Sequence, residues 1–219
     1  MINLSQPSGE HGFLFSGQAG KLEAILSIPP SSDNRYIALL GHPHSLQGGT
    51  MGNKVVTTLA RVFKERNIPS IRFNFRGVGQ SEGQYDEGIG EAEDMCRLAA
   101  LCQQESPGVK LIFAGFSFGS YVTYRAAAHC PNALLISIAP PVHHYDYTEF
   151  QLRSNPWIIV QGDADEVVPA DDVRAFVETN PSPITFLEFA DTGHFFHGKL
   201  IDLKTSLLEV IQTQRLLCG

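Results

Sequence analysis

The chain has 219 residues and a formal net charge of −7, with 16 Lys and Arg against 23 Asp and Glu. That acidic balance, with no run of Lys or Arg, argues against nucleic acid as a partner, because phosphate binding draws on clustered positive charge. No apolar run reaches the roughly 20 residues that span a bilayer, so no membrane partner is expected.

The opening residues, Met1-Ile2-Asn3-Leu4-Ser5, have neither the basic start nor the apolar core of a secretory signal, and a cytoplasmic protein is expected. The cysteines are Cys96, Cys102, Cys130 and Cys218, and none forms a Cys-x-x-Cys pair. Cys96 and Cys102 fall six apart on a predicted helix, hence on different faces. Reduced thiols are expected, rather than a disulfide framework or a zinc site.

In chain order, Phe13–Phe15 reads as a short strand, and Leu22–Ile28 and Tyr36–Gly41 as strands. Asn53–Arg66 reads as a helix, because Val55, Val56, Leu59, Val62 and Phe63 recur at spacings of three and four. A strand at Ser70–Phe75 precedes a helix at Ile89–Gln104, patterned by Met95, Leu98, Ala99 and Leu101. Next come a strand at Lys110–Ala114, a small-residue helix at Phe118–His129, and strands at Ala133–Ala139 and Trp157–Gln161. A short helix at Asp172–Thr179, a strand at Ile184–Phe189 and a helix at Leu200–Leu217 close the chain. Most strand runs are continuously apolar, which suits strands covered on both faces. The alternation predicts a single α/β domain over 1–219, with a mostly parallel twisted sheet of about seven to eight strands and helices on both faces.

Gly115-Phe116-Ser117-Phe118-Gly119 lies between a predicted strand and a predicted helix. This is G-x-S-x-G in the strand–turn–helix context its mechanics require. Glycines on either side of so tight a turn remove a Cβ clash, and the helix N-terminus favours a developing oxyanion. A serine hydroxyl needs a base to take its proton and a carboxylate to orient that base. Three carboxylates follow the strand Trp157–Gln161, namely Asp163, Asp165 and Glu166; Asp163 is placed to brace the loop and Glu166 is expected in solvent. The base is assigned to His194, after the last predicted strand, with His197 as its rival. Gly193 lets that loop bend, and Phe195 and Phe196 are expected to wall the site. His11 and His129 read as ordinary surface or core histidines.

Gly162-Asp163-Ala164-Asp165-Glu166-Val167-Val168-Pro169 resembles the G-x-x-D-x-x-V-P acid loop of the α/β-hydrolase superfamily, and that resemblance selects Asp165. With Ser117, Asp165 and His194 in that chain order, nearly the whole chain from about Leu22 resembles the superfamily. One oxyanion donor would be the Phe118 backbone N–H. The second would come from His42-Pro43-His44-Ser45-Leu46, which is similar to the superfamily's His-Gly-x loop with proline for glycine. Pro43 has no N–H, which leaves His44, with Leu46 as the alternative. His42 and His44 have no third ligand at a supporting spacing, so no metal is expected.

Asn74-Phe75-Arg76-Gly77-Val78-Gly79-Gln80-Ser81 resembles the superfamily's D-x-R-G-x-G-x-S segment, with Asn74 where aspartate is usual. Arg76 is expected to brace neighbouring loops through Asp94 or Glu91. About fifteen residues separate Pro141 from Trp157, too few for a cap domain with its own core. The site should therefore be open, with Val142–Tyr147 on its rim and His143 and Phe195 as substrate contacts. This layout resembles the small lidless serine hydrolases of bacteria, dienelactone-hydrolase-like members included; those use cysteine, and Ser117 places the chain with the esterase type. The resemblance implies hydrolysis of a small-molecule ester or thioester without a cofactor. An amidase or peptidase with the same triad, and a non-catalytic binding protein on the same scaffold, are the alternatives. The sequence is compatible with a homodimer.

Overall fold

The computed structural model describes residues 2–32, 34–150, 152 and 155–217. Eight strands form one sheet: β1 (Gly9–Ser16), β2 (Lys21–Ile28), β3 (Tyr36–Gly41), β4 (Ser70–Phe73), β5 (Lys110–Phe116), β6 (Leu134–Ile138), β7 (Trp157–Gly162) and β8 (Ile184–Phe189). Their order across the sheet is β1-β2-β4-β3-β5-β6-β7-β8. β1 and β2 form an antiparallel pair, β2 runs antiparallel to β4, and the strands from β4 to β8 are parallel.

The helices are α1 (Lys54–Glu65), α2 (Ile89–Glu105), α3 (Phe118–His129), α4 (Ala170–Thr179) and α5 (Leu200–Thr213). Successive residues of a strand face opposite sides, so each central strand feeds two cores. Ile37 and Leu39 of β3, with Leu111 and Phe113 of β5, meet Met95 and Leu98 of α2 and Val122 and Tyr124 of α3. Ala38, Leu40, Ile112 and Ala114 face the other way, onto Leu59 and Phe63 of α1 and Leu203 and Leu207 of α5. Both faces are covered, which is why these strands read as continuous apolar runs.

Element ends differ from expectation for local reasons. β1 is longer than Phe13–Phe15 because it is an edge strand whose alternate residues face solvent, so only its apolar centre stands out. β4 stops at Phe73: the Asn74 N–H still bonds to the Glu23 carbonyl of β2, but the Phe75 N–H turns to His42 Nε2, which takes the chain off the ladder. β5 continues through Phe116, since Gly115 and Phe116 pair with Ser137 and Ile138 of β6. α4 begins at Ala170, with Asp171 and Asp172 in its first turn, where carboxylates suit the helix dipole. α5 ends at Thr213, and Arg215 takes a positive φ of 50° in the turns that follow. Cys218 lies outside the described residues. Among the described residues no helix is long and apolar enough to cross a membrane.

Candidate active site

The C-terminal ends of β3, β5, β7 and β8 converge on Ser117. The serine holds φ 53° and ψ −123°, a strained backbone for a residue with a Cβ. Its surroundings over-determine that conformation. The Ser117 N–H donates to the Ile138 carbonyl (2.8 Å), and the Ser117 carbonyl accepts from the Ser120 N–H (2.8 Å) and the Ser120 hydroxyl (2.6 Å). A Cβ on Gly115 would overlap the Gly119 carbonyl, and one on Gly119 would overlap the backbone of Gly41 at the end of β3. The expected Cβ argument therefore holds, and Gly41 extends it to a neighbouring strand. Ser117 is half-buried in an otherwise buried run, with α3 starting at the next residue.

His194 Nε2 lies 3.0 Å from Ser117 Oγ, and His194 Nδ1 lies 2.8 Å from Asp165 Oδ2. An ionised carboxylate only accepts, so Nδ1 carries the proton and Nε2 is left to accept from the serine hydroxyl. The Asp165 carboxylate is positioned from several sides. Asp165 Oδ1 accepts from the N–H groups of Val167 and Val168 (2.8 Å each), and Oδ2 also accepts from Gln161 Nε2 (3.1 Å). Burial acts to raise the Asp165 pKa, but the His194 N–H and the Val168 and Val167 amides outweigh it, and the carboxyl sits below its ordinary range.

The two carboxylates flanking the choice of acid have their own tasks. Asp163 braces the loop, accepting from the Thr192 N–H at 3.4 Å. Glu166 is exposed but does not merely face solvent: its Oε2 accepts from the His194 backbone N–H (3.3 Å) and so helps hold the histidine loop. His197 is exposed and stacks on Phe195 at 5.9 Å, while His194 takes the place beside Ser117. Phe195 is 42% exposed and stands edge-on to His194 (5.1 Å). Phe196 is a correction. A φ of 53° turns it inward, and it packs fully buried against Phe189 in the core under α1 and α5 rather than walling the site.

The loop after β3 contains a short 3-10 turn over Ser45–Gln47. His44 Nδ1 accepts from the Leu46 N–H at 3.2 Å, so the Leu46 donor is already engaged. Gln47 and Gly49 both donate to the His44 carbonyl, each at 3.0 Å. Among the described residues, the N–H groups of His44 and Phe118 donate to no protein acceptor. The His44 ring packs against Phe118 (5.1 Å) and Tyr85 (4.8 Å). Its pKa is lowered by burial first and by the nearby His144 second. His143 is exposed and its ring neighbours His144 at 6.3 Å.

His42 is fully buried, and both its ring nitrogens are engaged within the protein. The Phe75 N–H donates to Nε2 (2.9 Å), which makes Nε2 the acceptor and places the proton on Nδ1, where it donates to the Pro43 carbonyl (2.7 Å). Burial pushes its pKa down to about 4. This histidine is a neutral strut that ties β3 to the arginine loop.

Arg76 braces as expected. Its Nε donates to Asp94 (2.9 Å) and its Nη2 to the Gly90 carbonyl (2.8 Å). Glu91 instead accepts from the backbone N–H groups of Asp86 and Gly88, capping α2. Asn74 donates to Glu23 (2.6 Å) and accepts from the Met51 N–H (2.8 Å), so aspartate at 74 would face another carboxylate. Gln161 and Tyr85 are residues around the site that sequence reasoning missed, and the sequence read Glu166 as solvated without its bond to the His194 loop. Only Gln161 left a signal, as a polar side chain ending a buried apolar strand.

No protein-family model matches the chain. It is 32% identical to an uncharacterised protein of Rickettsia prowazekii, RP471, over 91% of this chain and 87% of that one. Its fold matches the crystal structure of XC6422 from Xanthomonas campestris, described as an α/β serine hydrolase without a lid, at TM-score 0.90 and 40% identity, covering 95% of this chain and 96% of that one. An α/β serine hydrolase homologue from Coxiella burnetii matches at TM-score 0.87 and 43% identity, over 91% of this chain and 96% of that one. With its mostly parallel eight-stranded sheet flanked by helices, this chain belongs to the α/β-hydrolase superfamily and shares the architecture of its lidless serine hydrolases.

Proposed function

We propose that this chain hydrolyses a small carboxylic ester or thioester through an acyl-enzyme on Ser117. The observation that carries the reading is the continuous hydrogen-bonded line from Ser117 Oγ to His194 Nε2 (3.0 Å) and from His194 Nδ1 to Asp165 Oδ2 (2.8 Å). His194 takes the hydroxyl proton as Ser117 Oγ attacks the carbonyl carbon. Asp165, kept ionised by its amide partners, holds the tautomer and stabilises the imidazolium. The carbonyl oxygen becomes an oxyanion, for which the N–H groups of Phe118 and His44 are the donors without protein partners among the described residues. Collapse returns the proton from His194 to the leaving alcohol or thiol. Water then repeats the sequence on the acyl-serine and releases the acid.

The bond of the Leu46 N–H to His44 Nδ1 supports His44 rather than Leu46 as the second donor. Phe195, exposed beside His194, is the side chain best placed to contact the substrate. The test is a panel of p-nitrophenyl esters, acyl thioesters and matching anilides, assayed with the wild type, Ser117→Ala and His194→Ala. The reading expects turnover of esters or thioesters, and a loss of kcat on the order of 10³-fold or more in each variant. A wild type that turns over only anilides, or equal turnover in Ser117→Ala, would overturn it.

A further inference from the structure

We propose that Gln161 is a positioning residue for the hydrolysis described above, its side-chain amide fixing the Asp165 carboxylate that orients His194. The inference rests on the Ser117 acyl-enzyme reading. Gln161 is the next-to-last residue of β7 and is fully buried. Trp157, Ile158, Ile159 and Val160 before it are buried and apolar, as suits a strand covered on both faces. An amide at the end of such a run needs a reason of its own.

The nitrogen end supplies one. Gln161 Nε2 lies 3.1 Å from Asp165 Oδ2, 3.1 Å from the Val168 carbonyl and 3.2 Å from the Gly162 carbonyl. Three acceptors converging on one atom identify it as the nitrogen, since the flipped amide would set oxygen against oxygen at all three. At the other end, Oε1 is buried and accepts from no group among the described residues. A buried oxygen without a partner costs free energy. Core stability alone would favour an apolar side chain at this position, so the amide is explained by what its nitrogen holds.

What it holds is the acid. Asp165 Oδ1 accepts from the N–H groups of Val167 and Val168, and Oδ2 accepts from His194 Nδ1 and Gln161 Nε2. Two donors on each oxygen oppose rotation of the carboxylate and keep Oδ2 aimed at the imidazole. Val168 closes the arrangement, because its N–H donates to Asp165 while its carbonyl accepts from Gln161. Without the Gln161 amide, Oδ2 keeps only His194 among the described residues, and the acid loop loses a tie to β7. An Asp165 free to turn lets the imidazole tip off the line to Ser117 Oγ. Proton transfer slows, and substrate binding does not change.

The test compares wild type, Gln161→Met and Gln161→Glu by steady-state ester kinetics, with urea unfolding to establish that each is folded. Gln161→Met keeps the length and removes the donor. Its kcat should fall on the order of 10-fold to 100-fold with KM nearly unchanged. Gln161→Glu keeps the shape of the amide. Its carboxyl, buried beside ionised Asp165, should hold its proton to higher pH than usual and donate it to Oδ2. The other carboxylates around this position are Asp163 and Glu166 in the acid loop, and Glu188, which stands in register on β8 and is paired with Arg174 of α4. The kcat of Gln161→Glu relative to wild type should therefore be highest near about pH 6 and fall toward about pH 9 as the new carboxyl ionises. This variant decides the question even if Gln161→Met does not fold. A folded Gln161→Met with wild-type kcat, or with its loss carried by KM, would overturn the proposal. So would a Gln161→Glu ratio that is constant with pH. A wild type without ester turnover would overturn the acyl-enzyme reading and this proposal together, whereas an active wild type with unaffected Gln161 variants would overturn this proposal alone.

Discussion

Replacing His42 by phenylalanine tests whether a buried neutral imidazole ties β3 to the arginine loop. In the native chain this ring accepts from the Phe75 N–H and donates to the Pro43 carbonyl, and it lies 4.1 Å from the Phe75 ring. A second ring proton would meet the Phe75 N–H head on, in agreement with a pKa lowered by burial from 6.5 to about 4. The sign follows from proton counting. Between those values the unfolded chain binds a proton that the native chain does not, so stability rises with pH there. The contribution is fully present above 6.5 and is lost as pH falls toward 4. At about 1.4 kcal/mol per pH unit, the whole interval is worth about 3 kcal/mol. His42→Phe removes the titration and leaves the Phe75 N–H without its acceptor, a cost of about 1–3 kcal/mol that is independent of pH. Urea unfolding followed by the fluorescence of Trp157, the one tryptophan, at pH 7 and pH 4.5 measures both terms. Wild type should lose about 2.5 kcal/mol more than the variant between those two conditions. Groups common to both proteins, such as Asp165, cancel in the difference. Parallel pH dependences in the two proteins would refute the reasoning.

Asp165→Asn should leave the fold intact and lower kcat on the order of 10⁴-fold with little change in KM, since an amide no longer enforces the Nδ1–H tautomer; steady-state kinetics read this directly. Gly119→Ala should destabilise the protein by about 1–3 kcal/mol or more, because its Cβ would overlap the Gly41 backbone, and chemical denaturation measures the loss. Asp94→Ala removes the buried acceptor of the Arg76 Nε–H while leaving the guanidinium its Asp86 and Gly90 partners, and should cost about 1.5–3 kcal/mol in the same assay. Phe195→Ala should raise KM for the best substrate more than it lowers kcat, as expected of a side chain at the rim.

The Ser117 turn is legible in the sequence because its demand is local: only glycine fits where the backbones of Gly115, Gly119 and Gly41 approach, and a strand and helix flank it. The apolar strands are legible for a similar reason, since burial on both faces leaves no polar alternation. The choice among Asp163, Asp165 and Glu166 is not local. Asp165 is distinguished by Gln161 beneath it, two amides around it and His194 from 29 residues away, none of which has a periodic signature. Phe195 and Phe196 look equivalent as letters, yet a single positive φ sends one to the rim and the other to the core.

The central claim is that Ser117 is a nucleophile activated by His194. Intact-mass and peptide mapping after exposure to a fluorophosphonate tests it most directly, because the phosphonyl group bonds only to a serine whose hydroxyl is activated and whose oxyanion site is formed. The account predicts one adduct per chain, on Ser117, absent in Ser117→Ala and strongly slowed in His194→Ala. No adduct on folded wild type, or an adduct on another residue such as Ser120, would contradict it.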